Sequence, residues 1–100
     1  MPFNAKEVLN QLTQSNNGGS RLQVMIGAKE FFQDSAQNYI KFKFPRAQYM
    51  KITLNSLDLY DVEFGKIRKF EHKVTQEFKG LYADMLKSTF EEHTGLFLSL

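Results

Sequence analysis

The sequence predicts a single α+β domain, with an N-terminal helix, about four mostly antiparallel strands and a C-terminal amphipathic helix packed on the sheet. Three observations carry that prediction. Tyr49 to Ile67 alternates apolar and polar residues with a period of two on both sides of a short polar turn. Residues 5–12 and 78–90 instead place their apolar side chains at helical spacing. One hundred residues are enough for one hydrophobic core and too few for two.

Taking the chain in order, Asn4 is placed to cap a first helix running to about Thr13, with Glu7 three residues on and Phe3 set to staple against Val8. Ala5, Val8, Leu9 and Leu12 form its apolar stripe, and Asn16-Asn17-Gly18-Gly19-Ser20 reads as a flexible loop. With a helix before it and a strand after it, that loop has the wrong order for a phosphate cradle. Leu22, Val24 and Ile26 alternate with Gln23 and Met25, which predicts a strand, and Gly27 predicts a bend or bulge before Lys29-Glu30-Phe31-Phe32. Asp34-Ser35-Ala36-Gln37-Asn38 reads as a turn. Ile40, Phe42 and Phe44 then alternate with Lys41 and Lys43 up to Pro45, which lacks an N–H and so ends the strand or places it at an edge.

Met50, Ile52 and Leu54 face one side of the next strand, and Tyr49, Lys51 and Thr53 the other. After the Asn55-Ser56 turn, Tyr60, Val62 and Phe64 alternate with Leu59, Asp61 and Glu63, so these two strands should pair antiparallel, with a bulge or bend at Gly65. Ile67 to Val74 fits either a last strand or a basic connection, and we read it as a loop with partial strand. From a cap at Thr75, the residues Phe78, Leu81, Tyr82, Met85, Leu86 and Phe90 recur at the spacing of an amphipathic helix of about five turns, closed by Gly95. Leu96-Phe97-Leu98-Ser99-Leu100 is too apolar for a solvated tail, and is expected on the core or on another copy in a homo-oligomer.

Composition narrows the function classes. Apolar residues make up 42% of the chain and charged residues 24%, which fits a folded core and argues against wholesale disorder. The absence of Cys excludes a disulfide framework and any thiolate metal site, and fits a reducing cytoplasm. Met1-Pro2-Phe3-Asn4-Ala5-Lys6-Glu7 lacks the basic and apolar regions of a signal peptide, and no run reaches the roughly 18 apolar residues of a membrane span. A soluble cytoplasmic chain with no membrane partner is expected.

Asp58, Asp61 and Glu63 form the one acidic cluster. Paired carboxylates serve acid–base chemistry or hold a hard cation, but a cation site needs more oxygen ligands in a preformed loop. We read them as strand-face partners of Lys41, Lys43 or Lys51. His72 and His93 lie at no metal-ligand spacing and read as surface groups, and no Ser sits among nucleophile-elbow glycines. The expectation is a protein that is not an enzyme and uses no cofactor or metal.

Two binding readings remain. Lys41, Lys43, Arg46, Lys51, Lys66, Arg68, Lys69 and Lys73, with Tyr39, Tyr49 and Phe70 interleaved, have the chemistry to pair phosphates and stack bases of a nucleic acid. The element order is analogous to that of double-stranded-RNA-binding domains, except that Thr75-Gln76-Glu77 stands where those domains begin their last helix with basic residues. The other reading is protein recognition or self-assembly through an aromatic sheet face, an edge strand or the apolar tail. It ranks slightly higher, because a net charge of +2 is nearly balanced.

Several stretches also carry a resemblance. Ile26-Gly27-Ala28-Lys29-Glu30-Phe31, Lys51-Ile52-Thr53-Leu54-Asn55, Asp58-Leu59-Tyr60-Asp61-Val62-Glu63-Phe64, Tyr82-Ala83-Asp84-Met85-Leu86 and Phe90-Glu91-Glu92-His93-Thr94-Gly95, closing at Leu98-Ser99-Leu100, resemble a group of small bacteriophage and mobile-element proteins of about this length. The resemblance spans nearly the whole chain. Glu30 departs from the Asn expected between Lys29 and Phe31, at a turn. The group carries no catalytic or binding residue onto these positions. What the resemblance implies is a setting: an accessory protein in the cytoplasm of a bacterial host, binding an unidentified host or phage protein partner.

Overall fold

The computed structural model describes residues 4–69 and 71–96. Helices α1 (Ala5–Thr13) and α2 (Gly18–Ile26) precede five strands, β1 (Lys29–Asp34), β2 (Tyr39–Phe44), β3 (Gln48–Leu54), β4 (Tyr60–Arg68) and β5 (Glu71–Leu81). A single 3-10 turn (Ala83–Met85) then leads into α3 (Leu86–Thr94). The strands form an antiparallel meander in chain order. The α+β class holds, with five strands rather than four and a second helix near the N-terminus.

The core lies between one face of the sheet and the helices. Cross-strand rows Phe42–Met50–Phe64 and Ile40–Ile52–Val62 supply the sheet side, and Val8, Leu12, Leu22, Ile26, Leu86 and Phe90 supply the helix side. The two central hairpins match the alternation in the sequence. Asn4 caps α1 by accepting a hydrogen bond from the Glu7 N–H at 3.2 Å, as expected, while the staple residue Phe3 falls outside the described residues.

The segment read as a strand over Leu22, Val24 and Ile26 is the helix α2. Leu22 and Ile26, one helical turn apart, are buried, whereas Val24 is 82% exposed; the apparent alternation is a coincidence of three residues. Nor is Gly18-Gly19 a loop: both residues lie in the first turn of α2, and the Gly18 N–H donates to Asn10 Oδ1 at 2.8 Å. Lys29 to Asp34, beyond the Gly27 bend, is the edge strand β1, which pairs with β2 through a bulge and holds Glu30 at φ 54°. Pro45 does end β2, but β2 lies inside the sheet rather than at its edge.

The largest correction concerns the long C-terminal helix. Residues 71–81 are extended as β5, and the connection read over Ile67 to Val74 is the tip of the β4–β5 hairpin. Bulges explain the false periodicity. Tyr60 pairs with Leu81 and Val62 with Phe78, so β5 carries one extra residue there, with Gly80 at φ 70°. Phe78 and Leu81 therefore both reach the core three residues apart, which is the spacing of a helix. Thr75 does not cap a helix; it sits in a second bulge, opposite Phe64 and Gly65, and its hydroxyl donates to the Phe64 carbonyl at 3.2 Å.

Within the remaining segment, Leu86 and Phe90 are buried as a helix face requires. Met85, assigned to the core from its spacing, lies in the 3-10 turn at 41% exposure. Gly95 closes α3 at φ 74°, its N–H donating to the Glu91 carbonyl, as expected. Leu96 packs half-buried on the core, and the rest of the apolar tail lies outside the described residues. Among the described residues, no helix is long and apolar enough to cross a membrane.

Candidate functional site

The sheet face away from the helices carries Lys41, Lys43 and Lys51, whereas Lys66, Arg68 and Lys73 alternate to the other face. Strand alternation places Tyr39, Lys41 and Lys43 of β2, Tyr49, Lys51 and Thr53 of β3, and Asp61, Glu63 and Gly65 of β4 there. Register sets Lys41 beside Lys51, Lys51 beside Glu63, and Tyr49 beside Gly65. Asp61 and Glu63 do share this face, as expected. Asp61 accepts from Asn55 Nδ2 and from the Gly80 N–H, which steadies the β5 bulge, and Glu63 accepts from the Tyr49 hydroxyl. Among the described residues, no group of three or more His, Cys, Asp or Glu is placed to hold a metal ion.

Tyr49 is the centre of this face and is only 1% exposed, although it points away from the core. Its ring lies over Gly65, where an added Cβ would come within 2.3 Å of it. The hydroxyl donates to Glu63 Oε2 at 2.8 Å, Lys41 Nζ stands 4.2 Å above the ring centroid, and the His72 ring packs 5.3 Å away. Lys41 belongs to β2 and His72 to β5, so their contact across two intervening strands means that the β4–β5 hairpin curls over the outer face. Burial, reinforced by Glu63, pushes the Tyr49 phenol well above its usual range. Burial also lowers the Lys41 ammonium, with Lys51 and Lys43 adding to it and Glu63 opposing.

His72 is exposed, and partial desolvation where its ring packs on Tyr49 holds the imidazole below the usual value of 6.5, helped by Lys41 and Lys43 and opposed by Glu63. Its neutral Nδ1 accepts from Lys41 Nζ. His93, whose ring stacks on Phe64 at 4.1 Å, is lowered by burial alone. The unfolded chain therefore takes up these protons at a higher pH than the folded chain does. The stability that the neutral rings contribute is complete above about pH 6.5 and is lost as pH falls through the folded values. The melting temperature should fall on acidification from about pH 7.5 to about pH 5.5, and a His72→Gln, His93→Gln double variant should fall less steeply. Equal slopes would contradict this assignment.

The register also sorts the charges along the strands. Lys29, Lys43, Arg46, Lys66, Arg68, Lys69 and Lys73 gather at the end of the sheet made by the β2–β3 and β4–β5 turns, which the Ile67 N–H ties together by donating to the Ala47 carbonyl at 2.7 Å. Lys66 and Lys73 stand directly opposite each other, a like-charge pair. Among the described residues, Glu30 and Glu71 oppose them there, and Glu30 bridges Lys43 at 2.8 Å. At the other end lie Asp34, Asp58 and Asp61 with Lys79, and Glu77 pairs with Glu63 farther in. A total of +2 thus conceals a basic end and an acidic end.

Of the cations singled out in the sequence, Lys43, Arg46, Lys66, Arg68, Lys69 and Lys73 share one end of the sheet, Lys43 on the outer face, Lys66, Arg68 and Lys73 on the other, and Arg46 and Lys69 on the turns. Lys41 and Lys51 lie farther in, each over a tyrosine ring. Tyr49 cannot stack a base, because it is closed beneath His72 and Lys41; Tyr39 lies half-buried with Lys51 over its ring at 4.4 Å; and Phe70 falls outside the described residues. Sequence reasoning missed Phe32, 56% exposed and 6.0 Å from the Tyr39 ring. The Phe31-Phe32 doublet was the available signal, since neighbours in a strand point to opposite faces and Phe31 takes the core side against Phe42. No protein-family model matches the chain, and no curated protein or solved structure proves similar to it.

Proposed function

We propose that this is a non-enzymatic nucleic-acid-binding protein that sets the basic end of its sheet against phosphates, as an accessory protein of a phage or mobile element in the cytoplasm of a bacterial host. The observation that carries this reading is the gathering of Arg46 and Lys69 on two adjoining turns with Lys66, Arg68 and Lys73 on the strand ends beside them, away from the acidic end. Phosphates lower the cost of holding like charges together, which is where the like-charge pair Lys66 and Lys73 belongs.

Protein recognition is the second reading, and the sheet edges weigh against it. Both edge strands are bulged, and both carry lysines, the features that keep a sheet edge from pairing with another chain. A salt titration separates the readings. Anisotropy of a labelled single-stranded oligonucleotide should show log K falling with log salt at a slope of about −3 if about four phosphates are met, and the Arg68→Glu, Lys69→Glu variant should flatten that slope by about 1.4. Lys79→Glu, at the far end, should change it little. Absence of binding at low salt, together with a stoichiometric protein partner that survives nuclease, would overturn the proposal in favour of protein recognition.

A further inference from the structure

Beside the basic end, the outer face opens into a cleft of about 370 Å³ lined by Glu30, Phe32, Tyr39, Lys41, Lys43 and His72, within the roughly 300–1,000 Å³ of small-ligand clefts. Its floor is aromatic. Phe32 and Tyr39 lie 6.0 Å apart at 38°, too close and too tilted to admit a ring between them, so a flat ligand can only lie on the exposed side of Phe32. Its wall is cationic, with Lys41 and Lys43 on the same side of β2, roughly 7 Å apart along the strand. We infer that this cleft takes an unpaired nucleotide, its base stacked on Phe32 and its phosphates beside Lys43 and Lys41, so that the nucleic acid bound is single-stranded.

The inference rests on the nucleic-acid reading above and adds the form of the ligand. A duplex presents phosphates to the basic end equally well, but its base faces are already stacked on each other and cannot reach Phe32. A single strand offers both, and stacking on an aromatic ring is tolerant of sequence because every base has a π face. Glu30 is the one acid in the cleft and holds Lys43 in an ion pair. A phosphate arriving at Lys43 displaces it.

The test compares a labelled single-stranded oligonucleotide with the same sequence as a duplex, for the wild-type chain, Phe32→Ala, Phe32→Trp and Glu30→Gln. The single strand should bind more tightly than the duplex. Phe32→Ala should weaken the single strand about tenfold and leave both the duplex affinity and the salt slope unchanged. Phe32→Trp should restore binding, and Glu30→Gln should strengthen it. Phe32 is exposed, so these variants should keep the wild-type melting curve. Duplex binding with a steep salt dependence, and a silent Phe32→Ala, would overturn this inference alone. No binding of either form at low salt would overturn it together with the proposed function.

Discussion

Phe90→Ala should lower the unfolding free energy by about 3–5 kcal/mol, the range for removing a large aromatic from a closed core. Phe90 is 0% exposed and projects from α3 into the sheet, its ring 5.6 Å from Phe44 and 6.3 Å from Phe64. Those rings belong to β2 and β4, so the cavity left behind would open between elements that cannot close on it without shifting the helix. At about 4–8 °C per kcal/mol for a domain of this size, the melting temperature should drop by more than about 12 °C. Met85→Ala makes the contrast, because a 41% exposed side chain cannot incur the full cost of a core cavity.

Gly18→Ala should cost about 3 kcal/mol, although alanine is by itself the better helix former. An added Cβ at Gly18 would lie 2.3 Å from the Leu9 carbonyl carbon and 2.4 Å from its oxygen. Backbone, unlike a side chain, has no rotamer by which to give way. The helices α1 and α2 would have to separate, pulling Leu22 out of the core and lengthening the Gly18 N–H bond to Asn10. Thermal melting reads the effect, and an unchanged midpoint would mean that the two helices are not in contact at Gly18. Gly19→Ala is the control, since its nearest obstacle is a Leu9 side-chain atom at 3.8 Å.

That glycine also marks where the sequence stops being legible. Alternation revealed β2, β3 and β4, because each is flanked by strands and buries one face, so every second residue is under the same constraint. It failed at α2, where the glycines needed for close helix packing look like a loop and three branched residues imitate a strand. It failed again at β5, an edge strand whose solvent-facing residues obey no burial pattern and whose bulge at Gly80 shifts Leu81 into helical spacing. The basic residues of the candidate site were readable as a set, but their gathering was not, because it depends on which turns share an end of the sheet. Nothing local announced that Tyr49 is closed by His72, since that contact comes from the curl of the β4–β5 hairpin.

The central claim is that the end of the sheet bearing Arg46, Lys66 and Arg68, rather than the molecule as a whole, meets nucleic acid. Backbone NMR during titration with an unlabelled single-stranded oligonucleotide addresses it most directly. The account predicts that the amide shifts concentrate on residues 43–48 and 66–73 and on Phe32, while residues 55–61 at the opposite end stay still. Shifts of similar size at both ends, or confined to the helices, would contradict it.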